Sequence, residues 1–163
     1  MRDPLNAFYQ IISPGRNTNS YKFALARALV RLAPRTDSTH PVISKADLAP
    51  LFVEYYSPLE LTYHIRQGID PVKDPVVMTC VRDRVHRRRV SLGQDLADFR
   101  RKSPAEYQAL LAEVEHDAFD DVIPRFHNVR GTAVTPSLFT FTGREGQAGN
   151  AITLTGTGRA VLL

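Results

Sequence analysis

The chain has 163 residues, 43% hydrophobic and 23% charged, with a formal charge of +4 and one cysteine. That length and apolar content suit one packed domain and exclude disorder along the whole chain. One cysteine excludes an internal disulfide, no apolar run approaches the ~18–20 residues of a membrane span, and the modest positive charge permits nucleic-acid binding without requiring it.

The start, MRDPLNAFYQ, lacks the basic-then-apolar pattern of a signal peptide, so a cytoplasmic location is expected. Asp3 before Pro4 predicts a capped helix over 4–12, ended by Pro14-Gly15. Asn19 or Ser20 caps a second helix running to about Ala33 and stopped by Pro34. On a helical wheel, Tyr21, Leu25, Ala28, Leu29 and Leu32 form one apolar face, while Phe23 and Val30 stand opposite. Two apolar sides predict a central helix packed from both directions, with Lys22, Arg27 and Arg31 confined to narrow stripes.

Residues 35–41 read as loop and Val42-Ile43 as a short extended piece. Ser44 with Asp47 resembles a capping box opening a helix to about Tyr56. Pro50 then requires either a later start near Ala49 or a kink. Ser57-Pro58 reads as a break, followed by a short helix closed by Gly68. Asp74-Pro75 opens a helix reaching Gly93, Gln94 to Lys102 is a short helical piece, and Ser103-Pro104 with Glu106 opens the helix AEYQALLAEVEHDAFDD.

After Asp121, VIPRFHNV, SLFTFTG and NAITLTG alternate like strands, with the glycine-rich GREGQAG as a hairpin loop between the last two. GRAVLL reads as the first turn of a helix. Its three final apolar residues fit either a cut before a continuation or a terminal turn docked on the core. The expected fold is mainly α with a C-terminal β-hairpin, α+β, in one domain over 1–163 that is helical over 1–120 and strand-forming over 121–163. Helices followed by a terminal hairpin are also the order of a winged helix, so the helical part is expected to be winged-helix-like.

Catalytic signatures are missing. His40, His64, His86, His116 and His127 include no H-x₃-H pair, and Cys80 has no cysteine partner for a zinc site. Cys80 lies in the apolar VVMTCV and reads as a core hydrophobe. There is no G-x-S-x-G, no P-loop and no dinucleotide fingerprint. Glu115, Asp117, Asp120 and Asp121 cluster, as two-metal nucleases require, but no lysine follows an acid at the x-K spacing, so they read as a solvated face. His127-Asn128 is a His-Asn pair without the second histidine of an HNH site. No cofactor is expected in this chain.

Cations concentrate between 82 and 102. Arg82, Arg84, Arg87, Arg88 and Arg89 exceed what the dipole of one helix end needs, which favours phosphate contact over a solvated face. The hairpin tip with Arg144, Gln147 and Asn150 is a second candidate for entering a groove.

The stretches NAFYQIISPGRNTNSYKFALARALVRL, LFVEYYSPLELTYHIRQG and DVIPRFHNV resemble the N-terminal region of bacterial HNH endonucleases of the restriction and phage-defence kind. In that family a YKFALLRAL-like helix and a YYW-like segment precede a C-terminal HNH domain. Here Ser57 stands where the tryptophan is expected, the chain has no tryptophan, and the HNH domain has no counterpart. The resemblance implies a non-catalytic region that recognises double-stranded DNA, plain or modified, and delivers the nuclease. Divalent metal would belong to the missing HNH domain. The expected DNA contacts are Arg82, Arg84, Arg87, Arg88, Arg89, Arg125, His127 and Arg144. Three rivals stand beside this reading. One is a protein-interaction or homodimerisation module using EVEHDAFDD and Tyr55-Tyr56. Another is a stand-alone winged-helix transcription regulator. The last is a small enzyme in which the carboxylates at 115–121 meet His127 in a pocket. No membrane partner is expected.

Overall fold

The computed structural model describes residues 3–13, 20–63, 65, 76–87, 96–129, 132–135, 137–144 and 147–163, the side chains of 4, 85–87, 144 and 147 excepted. Helix α1 (Pro4–Ile12) begins as its sequence dictates, with the Asp3 carboxylate accepting from the Leu5 N–H at 3.0 Å. Helix α2 (Tyr21–Leu32) runs into a 3-10 turn, Ala33–Arg35, that contains Pro34. Ser20 sits at its N-cap, but its hydroxyl donates to the Tyr56 hydroxyl at 3.0 Å and caps nothing.

The expectation of a two-sided α2 fails. Ala24, Leu25, Ala26, Ala28 and Leu29 are buried against the rest of the fold, whereas Phe23 and Val30 are 41% and 48% exposed. The helix packs on α1 and on two helices further along the chain, with Leu25 and Leu29 wholly buried.

Strand β1 (Val42–Ser44) leads into α3 (Lys45–Leu61) through a complete capping box between Ser44 and Asp47. The helix starts at Lys45 despite Pro50 and continues through Pro58, so both the late start and the break at Ser57-Pro58 are corrected. An interior proline costs about 3 kcal/mol. Burial of a large apolar side chain returns ~1.5–3 kcal/mol each, and α3 buries Leu48, Phe52, Val53 and Tyr56 completely. Tertiary packing therefore outweighs the local penalty.

Three helices follow: α4 (Val76–Arg87), α5 (Leu96–Lys102) and α6 (Pro104–Asp117). Ser103 makes no side-chain cap to α6, against the capping-box expectation. The start of the VIPRFHNV segment is also corrected, because α7 (Phe119–Arg125) is helical through Pro124. Phe119, Val122, Ile123 and Phe126 are buried at i, i+3, i+4 and i+7, a helical face that the local alternation disguised. Only the end of the segment is extended, as β2 (Asn128–Val129), which pairs with β3 (Thr132–Ala133) in a small ribbon.

The terminal hairpin forms as expected, from β4 (Phe139–Arg144) and β5 (Gln147–Leu154). Its strands reach Arg144 and Gln147, so most of GREGQAG is strand, and residues 145–146 lie outside the described residues. Gly143 adopts φ 96° at a register shift, a backbone setting that glycine tolerates and L side chains rarely adopt. β1 adds to the far side of β5, giving an antiparallel sheet in the order β1-β5-β4 with Ile43 opposite Ile152. The expected extended piece at Val42-Ile43 thus has its partner more than a hundred residues away.

The final expected helical turn is complete as α8 (Gly156–Leu162), capped by the Thr155 hydroxyl and packed on α1. One core runs through the molecule: Phe52 meets Phe119 edge-on at 4.8 Å, and Phe126 meets Phe139 at 5.3 Å, so α7 joins the helices to the sheet. Lys45, 5% exposed, fastens the same seam by donating to Asp120 and to the Ala148 carbonyl, each at 2.9 Å. The architecture is mainly helical α+β. Among the described residues no helix is long and apolar enough to cross a membrane.

Candidate nucleic-acid interface

Arg82 and Arg84 of α4, each about one-third exposed, are engaged by carboxylates of neighbouring helices. Arg82 grips Glu60 of α3 with a bidentate pair, Nε–Oε1 at 2.6 Å and an Nη2–Oε2 bond at 2.8 Å. Glu60 is almost wholly buried. Arg84 reaches Glu113 at 2.7 Å and Glu106 at 3.5 Å, tying α4 along α6. The hydrogen bond that Arg84 donates to Glu113, with the charges of both acids, raises the Arg84 pKa above its ordinary value. These two guanidiniums are structural clamps between helices. Arg88 and Arg89 lie outside the described residues, as do the side chains of Arg87 and Arg144.

Arg125 is exposed at the end of α7 and pairs with Asp121 at 3.3 Å, one turn back. His127 is half-buried between Phe126 and Phe139, with ring centroids 5.3 and 4.4 Å away. Its Nε2 accepts a hydrogen bond from the Leu138 N–H at 3.0 Å, so the neutral ring carries its proton on Nδ1. Burial, reinforced by the charge of Lys22, lowers its pKa from 6.5 to about 4. His127 is therefore a neutral packing group at physiological pH, joining the turn after α7 to the start of β4. Arg125 pairs within α7 and His127 bonds to the residue before β4, whereas Arg82 and Arg84 pair with carboxylates of α3 and α6.

A different set of cations does converge on the surface. Arg27 of α2 lies over the ring of Tyr55 on α3 at 5.8 Å. One position earlier, Glu54 receives Arg31 on both oxygens at 2.9 Å. The Glu54 charge also reaches Tyr107 of α6, whose pKa is raised by burial first and by Glu54 in addition. Arg100 of α5 covers that tyrosine at 5.6 Å. Four helices thus share one band of alternating arginine and tyrosine. Arg27 and Arg100 are exposed, and among the described residues neither meets a carboxylate in an ion pair. Arg101 and Lys102 extend the band past Arg100 and pair with Asp98 at 2.6 and 3.0 Å. Their hydrogen bonds hold the Asp98 carboxyl below its usual pKa range.

Sequence reading missed this band. Its signal was present in part, since Arg27, Arg31 and Arg100–Lys102 are visible as cations, but the aromatic platforms come from other helices. A guanidinium positioned over a tyrosine ring keeps its full charge, and an exposed one is open to phosphate oxygens.

The acidic cluster does not organise around His127. Glu115, His116 and Asp120 line a cleft of about 460 Å³ with Lys45, Ala112, Ala148 and Asn150, and His127 is not part of it. His116 pairs with its neighbour Asp117 at 2.6 Å, which raises the imidazole pKa. Among the described residues no three His, Cys, Asp or Glu side chains are grouped to hold a metal ion. The Cys80 thiol is pushed up to about 12, first by burial and then by Glu113 and Asp117, so it stays protonated and weakly nucleophilic.

No family model, curated protein or solved structure matches the chain.

Proposed function

We propose that this chain binds double-stranded DNA, as the targeting region of a nuclease of the HNH restriction or defence kind, and that the α2–α3–α6–α5 band carries the phosphate contacts. The supporting observation is the placement of cations. Arg27 and Arg100 are exposed and backed by tyrosines, with Arg31, Arg101 and Lys102 beside them in surface pairs with Glu54 and Asp98, while Arg82 and Arg84 tie α4 to carboxylates of α3 and α6. Phosphate neutralisation by such surface cations supplies most of the sequence-independent affinity for DNA. The terminal hairpin following the helices is compatible with a winged-helix likeness, which belongs to the same proposal.

Gel retardation of a generic duplex, plain and base-modified, at roughly 50 and 200 mM salt tests the reading. The wild-type chain should retain duplex at low salt and release it steeply as salt rises. Replacing Arg27, Arg31 and Arg100 together by alanine should flatten the log–log salt slope by about 0.9 for each phosphate that is no longer neutralised. Failure to retain any duplex at low salt, or an unchanged slope in the triple variant, would sink the assignment.

A further inference from the structure

We propose that the exposed face of α2 reads bases, with Phe23 and Val30 as specificity-determining contacts; the inference rests on the DNA-binding reading above. Phe23, Arg27, Val30 and Arg31 fall within about 100° of the α2 circumference. All four are exposed. They span about 12 Å along the axis, which is the width of a DNA major groove.

Two features separate this stripe from a surface that only neutralises phosphate. Its cations alternate with apolar groups, Phe23 at 41% and Val30 at 48% exposure. Phosphate oxygens offer such groups nothing, whereas thymine methyls and the apolar edges of bases do. The opposite face of α2 is fully engaged, with Leu25 and Leu29 completely buried, so the helix is held rigidly while this side stays open. Lys22 adds to that rigidity by donating to the Asn128 carbonyl from the opposite end of α2 to Arg31.

Charge selects the occupant. Arg31 is balanced by Glu54, but Arg27 and, one turn beyond Arg31, the exposed Arg35 keep the stripe positive, which suits a polyanion. Phosphate contacts along the band would set the register, and α2 would present Phe23 and Val30 to the groove beside Arg27.

The experiment is selection of preferred sites from a randomised duplex library with the wild-type chain. The Phe23→Ala/Val30→Ala variant is then compared on the selected duplex and on a scrambled one. Because both positions are exposed, the variant should melt with the wild type by circular dichroism, and a single Val30→Thr chain provides a milder second variant. The expected result is a preference of about tenfold or more for the selected duplex that falls to within roughly twofold of unity in the double variant. Affinity for the scrambled duplex and the salt slope should stay unchanged. Equal binding of all duplexes by the wild type, or full preference retained by the double variant, overturns base reading and leaves phosphate binding standing. Absence of any duplex binding removes the DNA reading itself. Concentration-dependent dimerisation abolished by the double variant, with duplex preference intact, would make the stripe a protein contact instead.

Discussion

His127 has a chemistry set by one hydrogen bond and its surroundings. The Leu138 N–H occupies Nε2, and protonating that nitrogen removes the acceptor while placing a charge among Phe126, Phe139 and the nearby Lys22. The folded pKa, about 4, lies below the ordinary 6.5. Between those values the unfolded chain binds a proton that the folded chain refuses, so stability rises with pH across that window. The contribution is complete above pH ~6.5 and is lost as pH falls toward 4. A gap of this size corresponds to roughly 3 kcal/mol. Urea denaturation of the wild type and of His127→Gln should show the wild type losing more stability than the variant between about pH 7 and pH 4. Parallel curves for the two proteins would remove His127 as the source. Nothing in the HNV sequence context foretold this, because the acceptor role depends on a backbone amide eleven residues on and on two rings contributed by separate elements.

At the scale of helices, the same arginine can be a clamp or a contact depending on what faces it. Arg82 and Arg84 sit on α4 in the densest basic run, yet their partners are Glu60 and Glu113, 22 and 29 positions away. Glu60 is the more buried member of its pair, at 7% exposure. Truncating it removes the carboxylate that takes two Arg82 hydrogen bonds across the α3–α4 seam, and hydrogen bonds to charged groups are worth about 1.5–3 kcal/mol. Glu60→Ala should therefore lower the urea midpoint by an amount equivalent to about 2 kcal/mol, without altering the salt slope of the proposed DNA binding. An unchanged midpoint would mean that the pair is not a clamp. Elements with local signals were legible in the sequence. The Asp3-Pro4 start of α1, the Ser44/Asp47 capping box and the alternation of β4 and β5 all depend on residues within a few positions of one another. The errors share a different cause. α3 passes Pro50 and Pro58 because distant residues bury its face, and α7 is helical because Phe119, Val122 and Ile123 meet the core together. The wheel of α2 correctly grouped Phe23 and Val30, but a wheel says which residues share a face and not whether anything covers it. The exposed band is therefore not readable from the wheel alone.

Across the whole molecule, the turn after α7, the start of the hairpin and the start of α8 meet at a junction around Leu138. Its N–H donates to His127, and its carbonyl accepts from the Thr155 N–H at 3.0 Å and the Thr155 hydroxyl at 3.2 Å. α8 starts there, lies against α1, and sends Arg159 to Thr36 and to the Asp37 carbonyl beyond the 3-10 turn. Gly158 is what permits the approach, since a Cβ on it would stand 1.8 Å from the Leu138 oxygen and 2.7 Å from its carbonyl carbon. Those are backbone atoms of the junction itself, so α8 would have to move. Overpacking of this kind costs about 1–3 kcal/mol, and at this chain length each kcal/mol shifts the melting temperature by roughly 2–4 °C. Gly156 supplies the internal comparison, because nothing lies within 4 Å of a Cβ there and alanine would only restrict the unfolded chain. Thermal melting should place Gly158→Ala several degrees, about 3–10 °C, below the wild type, and Gly156→Ala level with it or slightly above. Equal melting of the two variants would show that α8 has room to adjust. Because α2, α3, α5 and α6 carry the band, Gly158→Ala assayed below its melting range should bind duplex DNA with the wild-type salt slope. Loss of binding in that folded variant would tie the proposed DNA recognition to the hairpin junction rather than to the band.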